Sequence, residues 1–299
     1  MPTIVLKPQA GPQEQFLASR ADIAIYGGAA GGGKSYALLL EPLRHVHDPA
    51  FRAVIFRRTA KQIRNEGGLW DAARQLYAPL GVTAKETDLV MRFPSGATIS
   101  FGAMEHDKNR YDWQGTEITY LGFDELTHFT ARQFYYLLSR NRSTSGIPPY
   151  VRATCNPDAD SWVADLVRWW IDRESGYANA ARSGAVRHFT REGDQLTFWD
   201  GPSADRKSLT FIAANVDDNQ ILLAKDPGYK ATLGALDRVE RERLLKGNWK
   251  IRPEGGQYFK AHWFAPIGAG DVPQLTRKIR GWDLAATAAG GDWSASALV

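Results

Sequence analysis

The run from Ile23 to Leu40, IAIYGGAAGGGKSYALLL, restricts the chain to a few folds. A short apolar strand enters a loop almost without side chains, and an apolar helical run leaves it. Such a strand–loop–helix unit belongs to α/β proteins with a parallel sheet. The spacing Gly28-x-x-x-x-Gly33-Lys34-Ser35 is that of a P-loop. Side chains at Gly28, Gly31, Gly32 and Gly33 would obstruct the backbone's approach to phosphate oxygens. The spacing aims Lys34 at the β- and γ-phosphates and sets the Ser35 hydroxyl where Mg²⁺ sits. The loop therefore implies a nucleoside triphosphate as ligand.

A chain of 299 residues suffices for one large α/β domain and an appendage. Its formal charge of +4 permits an anionic partner such as nucleic acid without requiring one. One cysteine, Cys155, excludes an internal disulfide framework and fits a reducing compartment. The six histidines are scattered without metal-ligand spacing. No apolar run approaches the ~20 residues that span a bilayer, and the N-terminus lacks a signal-peptide core. No membrane partner is expected.

Strand-like runs at 23–26, 53–56, 89–93, 98–101, 119–123, 151–154 and 209–213 alternate with helical ones, predicting a mostly parallel sheet flanked by helices. Thr59-x-x-Gln62 and Thr130-x-x-Gln133 read as capping boxes that start helices. Gly67-Gly68 breaks the first of these, and Pro42 ends or kinks the helix after the P-loop. Hairpins are expected at 88–101 and near 186–198. Helices are expected at 160–173, carrying Trp162, Trp169 and Trp170, and at 237–246, charged and amphipathic. The predicted ATPase domain covers 1–250, with a lid-like part at about 205–250. A linker follows at 251–276, and a further segment at 277–299.

Two further strand ends carry chemistry. Ile118 to Glu125 is an apolar strand closed by two carboxylates, the form of a Walker B element. Asp124 would bind Mg²⁺, and Glu125 would polarise water as general base. That water-activating glutamate favours hydrolysis over phosphoryl transfer to a metabolite. The strand 151–154 presents Thr154 and Asn156 beside the nucleotide, where they can sense the γ-phosphate. Gln13, ahead of the first strand, has an amide able to read an adenine edge; a solvated glutamine is the alternative.

Together these motifs resemble the large terminase subunit of tailed bacteriophages. The likeness runs through Gly11-Pro12-Gln13, the P-loop, Phe56-Arg57-Arg58-Thr59, Trp113-Gln114-Gly115-Thr116-Glu117 and Gly122 to Phe129. It continues through Ser139-Arg140-Asn141-Arg142, Thr154 to Pro157 and Gly247-Asn248-Trp249. It implies a P-loop NTPase of the additional-strand, conserved-glutamate class. In that class Gln13 corresponds to the adenine-motif glutamine, Lys34 and Ser35 to the Walker A pair, Asp124 and Glu125 to metal ligand and base, and Thr154 to Asn156 to the coupling motif. Some terminases place an arginine inside the Walker A loop, where this chain has Ala30 and Gly31. Charge compensation then falls to Arg58, Arg110, Arg140 or Arg142, with Arg110 first and Arg142 also considered as an arginine finger.

The resemblance also implies an RNase H-like nuclease domain beginning at 277–299, with Asp283 as its first metal ligand. A two-metal site needs further carboxylates from other strands. The chain stops at Val299, so that site is expected to be incomplete and nuclease activity absent. The implied setting is the host cytoplasm at a procapsid portal. The implied partners are double-stranded DNA, the portal protein, the small terminase subunit and further copies in a ring. Basic clusters at Arg57, Arg58, Lys61 and Arg64 and at Arg238, Arg241, Arg243 and Lys246 are candidate phosphate contacts or solvated helix faces. Two competing readings remain: a helicase-like remodelling ATPase, and a nucleotide-binding ring scaffold without turnover.

Overall fold

Strand β1 (Ile23–Gly28) is buried along its whole length, as an apolar run becomes when both faces of its sheet are covered. The computed structural model describes residues 5–253, 280–283 and 295–298. Two compact units are present, Met1–Arg252 and Pro253–Val299.

The first unit carries a ten-stranded sheet. Its further strands are β2 (Arg52–Arg57), β3 (Thr83–Lys85), β4 (Val90–Arg92), β5 (Thr98–Ala103), β6 (Tyr120–Phe123), β7 (Tyr150–Cys155), β8 (Val186–Glu192), β9 (Gln195–Trp199) and β10 (Lys207–Ala214). The spatial order is β3-β4-β5-β2-β6-β7-β1-β10-β8-β9. The central six, from β5 to β10, are mutually parallel. Antiparallel hairpins finish both margins. Strand β7 stands between β1 and β6, so an additional strand separates the P-loop strand from the carboxylate strand, as the class requires. Both hairpins expected from sequence form, whereas the short exposed β3 has no apolar pattern and goes unread there.

Alternate residues of the central strands feed two cores. Ala24, Tyr26, Ala53 and Ile55 face one layer with Phe16, Leu38, Trp70 and Tyr77. Ile23, Ile25, Val54 and Phe56 face the other with Phe134, Val163, Trp170 and Phe211. Each Leu, Ile, Val or Phe among them contributes about 1.5–3 kcal/mol when fully buried.

The flanking helices start where their caps dictate. Both capping boxes close in both directions, Thr59 with Gln62 and Thr130 with Gln133. The helix Ala60–Arg64 ends before Gly67-Gly68 and Leu69–Tyr77 follows. The P-loop helix, Lys34–Leu40, tightens to a 3₁₀ turn at Glu41–His45, where Pro42 cannot donate to the ladder.

Two helices differ from expectation. The 160–173 segment is helical only at Trp162–Val167, then 3₁₀ at Arg168–Trp170, because Ile171 leaves to bridge Ala178. Its tryptophans pack inward: Trp170 is fully buried, and Trp162 donates to the Phe129 carbonyl at 2.7 Å. The 237–246 segment begins as an α turn at Arg238–Glu240, capped by Asp237, and widens into a π-helix at Arg241–Leu245. Among the described residues no helix is long and apolar enough to cross a membrane.

In the second unit, β11 (Arg280–Asp283) pairs antiparallel with β12 (Ala295–Leu298). Asp283 lies in register with Ala295. The role expected of its side chain, and most of the expected linker at 251–276, lie outside the described residues.

Candidate nucleotide-hydrolysis site

Three adjacent strands, β6, β7 and β1, end at the same edge of the sheet. The residues that follow them are therefore brought together, as at other α/β switch points. After β1 the P-loop turns through left-handed backbone at Gly31 and Gly33, with φ of +76° and +71°. At Gly28 a Cβ would stand 2.4 Å from the Ala214 carbonyl oxygen. A side chain at either kind of position would force the loop off its path.

Lys34 opens the helix and is buried. Its ammonium donates to the Ala29 carbonyl at 2.5 Å and to Asn156 Oδ1 at 3.0 Å. Burial, opposed by Glu125, Cys155 and Asp124, lowers its pKa below the ordinary lysine value. An anionic ligand would restore what desolvation removes. Cys155, buried below the loop, has its pKa raised mainly by burial and is no nucleophile at neutral pH.

Asp124, fully buried at the end of β6, accepts from Ser35 Oγ at 2.8 Å and from Thr154 Oγ1 at 2.7 Å, both on Oδ1. Its Oδ2 pairs with Arg57. Glu125 has φ +60° and ψ +62°, left-handed backbone that a non-glycine residue holds only when its surroundings impose it. Its N–H donates to Thr154 Oγ1 at 3.2 Å. Its carboxylate accepts from the Asn156 backbone N–H at 3.2 Å and from Asn156 Nδ2 at 2.9 Å. Asn156 therefore joins Lys34 to Glu125 through one side chain.

The Ser35 hydroxyl and the Asp124 carboxylate are hard oxygen donors, the chemistry Mg²⁺ takes when phosphates and waters supply its other ligands. No cluster of three or more His, Cys, Asp or Glu able to hold a metal occurs among the described residues. The pair thus fits a metal that arrives with phosphates better than a dedicated protein cage.

Gln13 is buried against the loop. Its Nε2 donates to the Gly33 carbonyl at 3.0 Å, and its Oε1 accepts from Gln9 N–H at 2.8 Å. Both ends of the amide are thus engaged within the chain. From the other side, Asn219 Nδ2 donates to the Gly31 carbonyl at 2.7 Å, and Ala30 N–H donates to the Leu244 carbonyl at 2.6 Å. A Cβ at Gly31 would stand 2.5 Å from the Tyr229 ring. The segment after β10 therefore lies directly over the loop.

The expected compensating arginines stand elsewhere. Arg58 donates to the Met104 carbonyl and Gln133 Oε1, and Arg140 stacks on Tyr136. Arg110 pairs with Asp107 and lies over the Tyr111 ring, its guanidinium 4.3 Å from the centroid. Arg142 is exposed. Arg57, read from sequence as one of a basic cluster and within the Phe56–Thr59 stretch of the resemblance but given no role at the site, is the residue that reaches it. Its one signal there was its place at the C-terminal end of a predicted strand. Arg57 and Arg58 are thus bonded internally, whereas Lys61 and Arg64 of the same cluster are exposed.

No curated protein matches the chain. In structure, the large terminase of a thermophilic bacteriophage matches with a TM-score of 0.55 at 14% identity, covering 81% of this chain and 54% of that one. The same terminase in complex with ATP-gamma-S gives 0.52 at 15%, covering 81% and 53%. The ATPase domain of the Thermus phage P74-26 large terminase gives 0.50 at 13%, covering 81% and 94%. The chain spans about half the length of the first of these terminases. At these identities the structures speak for the fold. A family model described as terminase large subunit, T4likevirus-type, N-terminal, matches residues 25–266, most of the chain, which therefore belongs to that family.

Proposed function

We propose that this chain hydrolyses ATP to drive double-stranded DNA into a phage procapsid. The observation that carries the reading is the convergence of Lys34, Ser35, Asp124, Glu125, Thr154 and Asn156 at one sheet edge. Lys34, shielded from water and held by neutral acceptors, is ready to turn its charge to the β- and γ-phosphates. Ser35 and Asp124 would hold Mg²⁺, which supplies charge neutralisation on the phosphates when bound. Glu125 accepts a proton from the attacking water as the water oxygen bonds to the γ-phosphorus. The bond to the β–γ bridging oxygen breaks, leaving ADP and phosphate. Two bonds from Asn156 hold the Glu125 carboxylate in place for that step, and they are independent of the Asn156 oxygen that Lys34 leaves when it turns to phosphate.

The thermophilic phage terminase in complex with ATP-gamma-S supports ATP as the nucleotide, and the family supports packaging as its use. The partners of this reading are duplex DNA, the portal protein, the small terminase subunit and further copies in a ring, in the host cytoplasm. Among the candidate fingers, Arg110 is tied to Asp107, whereas Arg142 is exposed and better placed to reach a neighbouring copy.

The test is the ATPase rate with and without duplex DNA, for wild type, Lys34→Ala and Glu125→Gln. Lys34→Ala abolishes nucleotide binding. Glu125→Gln preserves binding and lowers turnover by on the order of 10²–10⁴. A wild-type rate at background with portal and DNA present would overturn the motor reading. Function unharmed by Glu125→Gln would favour the scaffold.

A further inference from the structure

Register brings Arg57 to Asp124. Phe56 on β2 lies opposite Phe123 on β6, and the Asp124 N–H donates to the Phe56 carbonyl at 2.9 Å. The next residue on each strand is therefore the other's neighbour, and the guanidinium closes on Oδ2. Oδ1 is left facing Ser35 and Thr154. Arg57 is 24% exposed and Asp124 fully buried, and Arg57 Nε is buried with no partner of its own.

We propose that Arg57 is a positioning residue that makes divalent-cation binding at Ser35 and Asp124 conditional on nucleotide. The proposal rests on the nucleotide-hydrolysis reading above. With Arg57 in place, a lone cation meets one neutralised carboxylate and one hydroxyl, too little to offset the loss of its waters. The phosphates bring the negative charge that the protein withholds. Arg57 meanwhile holds the carboxylate turned with Oδ1 toward Ser35, and its unused Nε–H remains a donor for an oxygen carried in with the ligand. The arrangement keeps the site from filling with metal between turnovers. It also explains how the loop works without an arginine of its own: the compensating charge comes from the neighbouring strand.

The experiment is a titration of the full chain with Mn²⁺, read by electron paramagnetic resonance, alone and with ADP, for wild type, Arg57→Gln and Arg57→Lys. Wild type binds Mn²⁺ alone weakly and at least about tenfold more tightly with ADP. Arg57→Gln binds Mn²⁺ alone at least about tenfold more tightly than wild type, and its gain from ADP shrinks correspondingly. Arg57→Lys keeps the charge and behaves as wild type. Equal Mn²⁺-alone affinity in wild type and a folded Arg57→Gln overturns the proposal, as does Arg57→Lys behaving like Arg57→Gln. Should Arg57→Gln not fold, wild type binding Mn²⁺ equally with and without ADP still overturns it. Failure of the hydrolysis reading shows separately, as no binding of a fluorescent ATP analogue by wild type at any metal concentration.

Discussion

At the scale of single residues, the site depends on Asn156, which makes three of its bonds: one to Lys34 and two to Glu125. An asparagine suits this place because its amide offers an acceptor to a cation and donors to an anion at once. Asn156→Ala leaves the Glu125 carboxylate without its side-chain donor and Lys34 without its side-chain acceptor. ATP hydrolysis is expected to fall about tenfold or more through misplacement of the base, with binding of a fluorescent ATP analogue nearly unchanged. A parallel loss of binding and turnover would show that Asn156 acts on the loop and not on the base. Thr154 adds a second constraint, since its hydroxyl joins Asp124 to the Glu125 N–H. Thr154→Val removes both bonds at nearly constant volume. It should slow hydrolysis while lowering stability, read by thermal melting, only by the range of two lost hydrogen bonds, about 1–3 kcal/mol.

At the scale of elements, the π-helix Arg241–Leu245 and the turn after it bear on the loop directly. Gly247 has φ +74°, and a Cβ there would lie 3.1 Å from the Ala29 nitrogen. Gly247→Ala is expected to cost about 1–2 kcal/mol in backbone strain and to weaken nucleotide binding, read by thermal melting and by titration with a fluorescent ATP analogue. Unchanged binding would separate this segment from the loop. Trp249, buried against Phe211 with ring centroids 5.8 Å apart, anchors the same segment to the sheet. Trp249→Ala should destabilise the fold by about 3–5 kcal/mol, seen as a lower denaturation midpoint.

These elements also show where the sequence was legible. The central strands, both hairpins and both capping boxes announce themselves locally, through apolar runs and through Thr-x-x-Gln. Lys34, Ser35, Asp124 and Glu125 were readable because fixed spacing or adjacency to a strand end carries their chemistry. Arg57 was not, because its partner lies 67 residues away and only the register of β2 against β6 joins them. The π-helix was not either: its extra residue per turn answers to contacts with the loop, and Asp237 to Lys246 has the composition of an ordinary charged helix.

At the scale of the whole molecule, the sheet separates chemistry from support. The site occupies the edge where β1, β6 and β7 end, whereas a buried polar cluster fastens the edge where β7 begins. Glu41, fully buried, accepts from Tyr150 Oη at 2.7 Å and faces Arg152 at 3.7 Å and Arg44 at 3.2 Å. Arg152 also donates to the Ser19 and Ala21 carbonyls, so the cluster joins the P-loop helix, β7 and the chain entering β1. Burial raises the Glu41 pKa above its ordinary value of 4.5, against the lowering effects of Arg152, Arg44 and the Tyr150 bond. For a carboxyl raised in the folded state, the unfolded chain releases its proton first. The contribution to stability is therefore full below the ordinary value and is lost as pH rises through the folded one. Glu41→Gln removes that dependence, so the melting temperature of wild type relative to this variant should fall as pH rises from about 4.5 toward neutrality. A constant difference across that range would mean that pairing, and not burial, governs Glu41. Because the cluster sits away from the strand ends that carry Lys34, Glu125 and Asn156, ATP turnover of the folded variant should match wild type well below its melting point. A change in turnover would mean that strain at this edge reaches the site through β7.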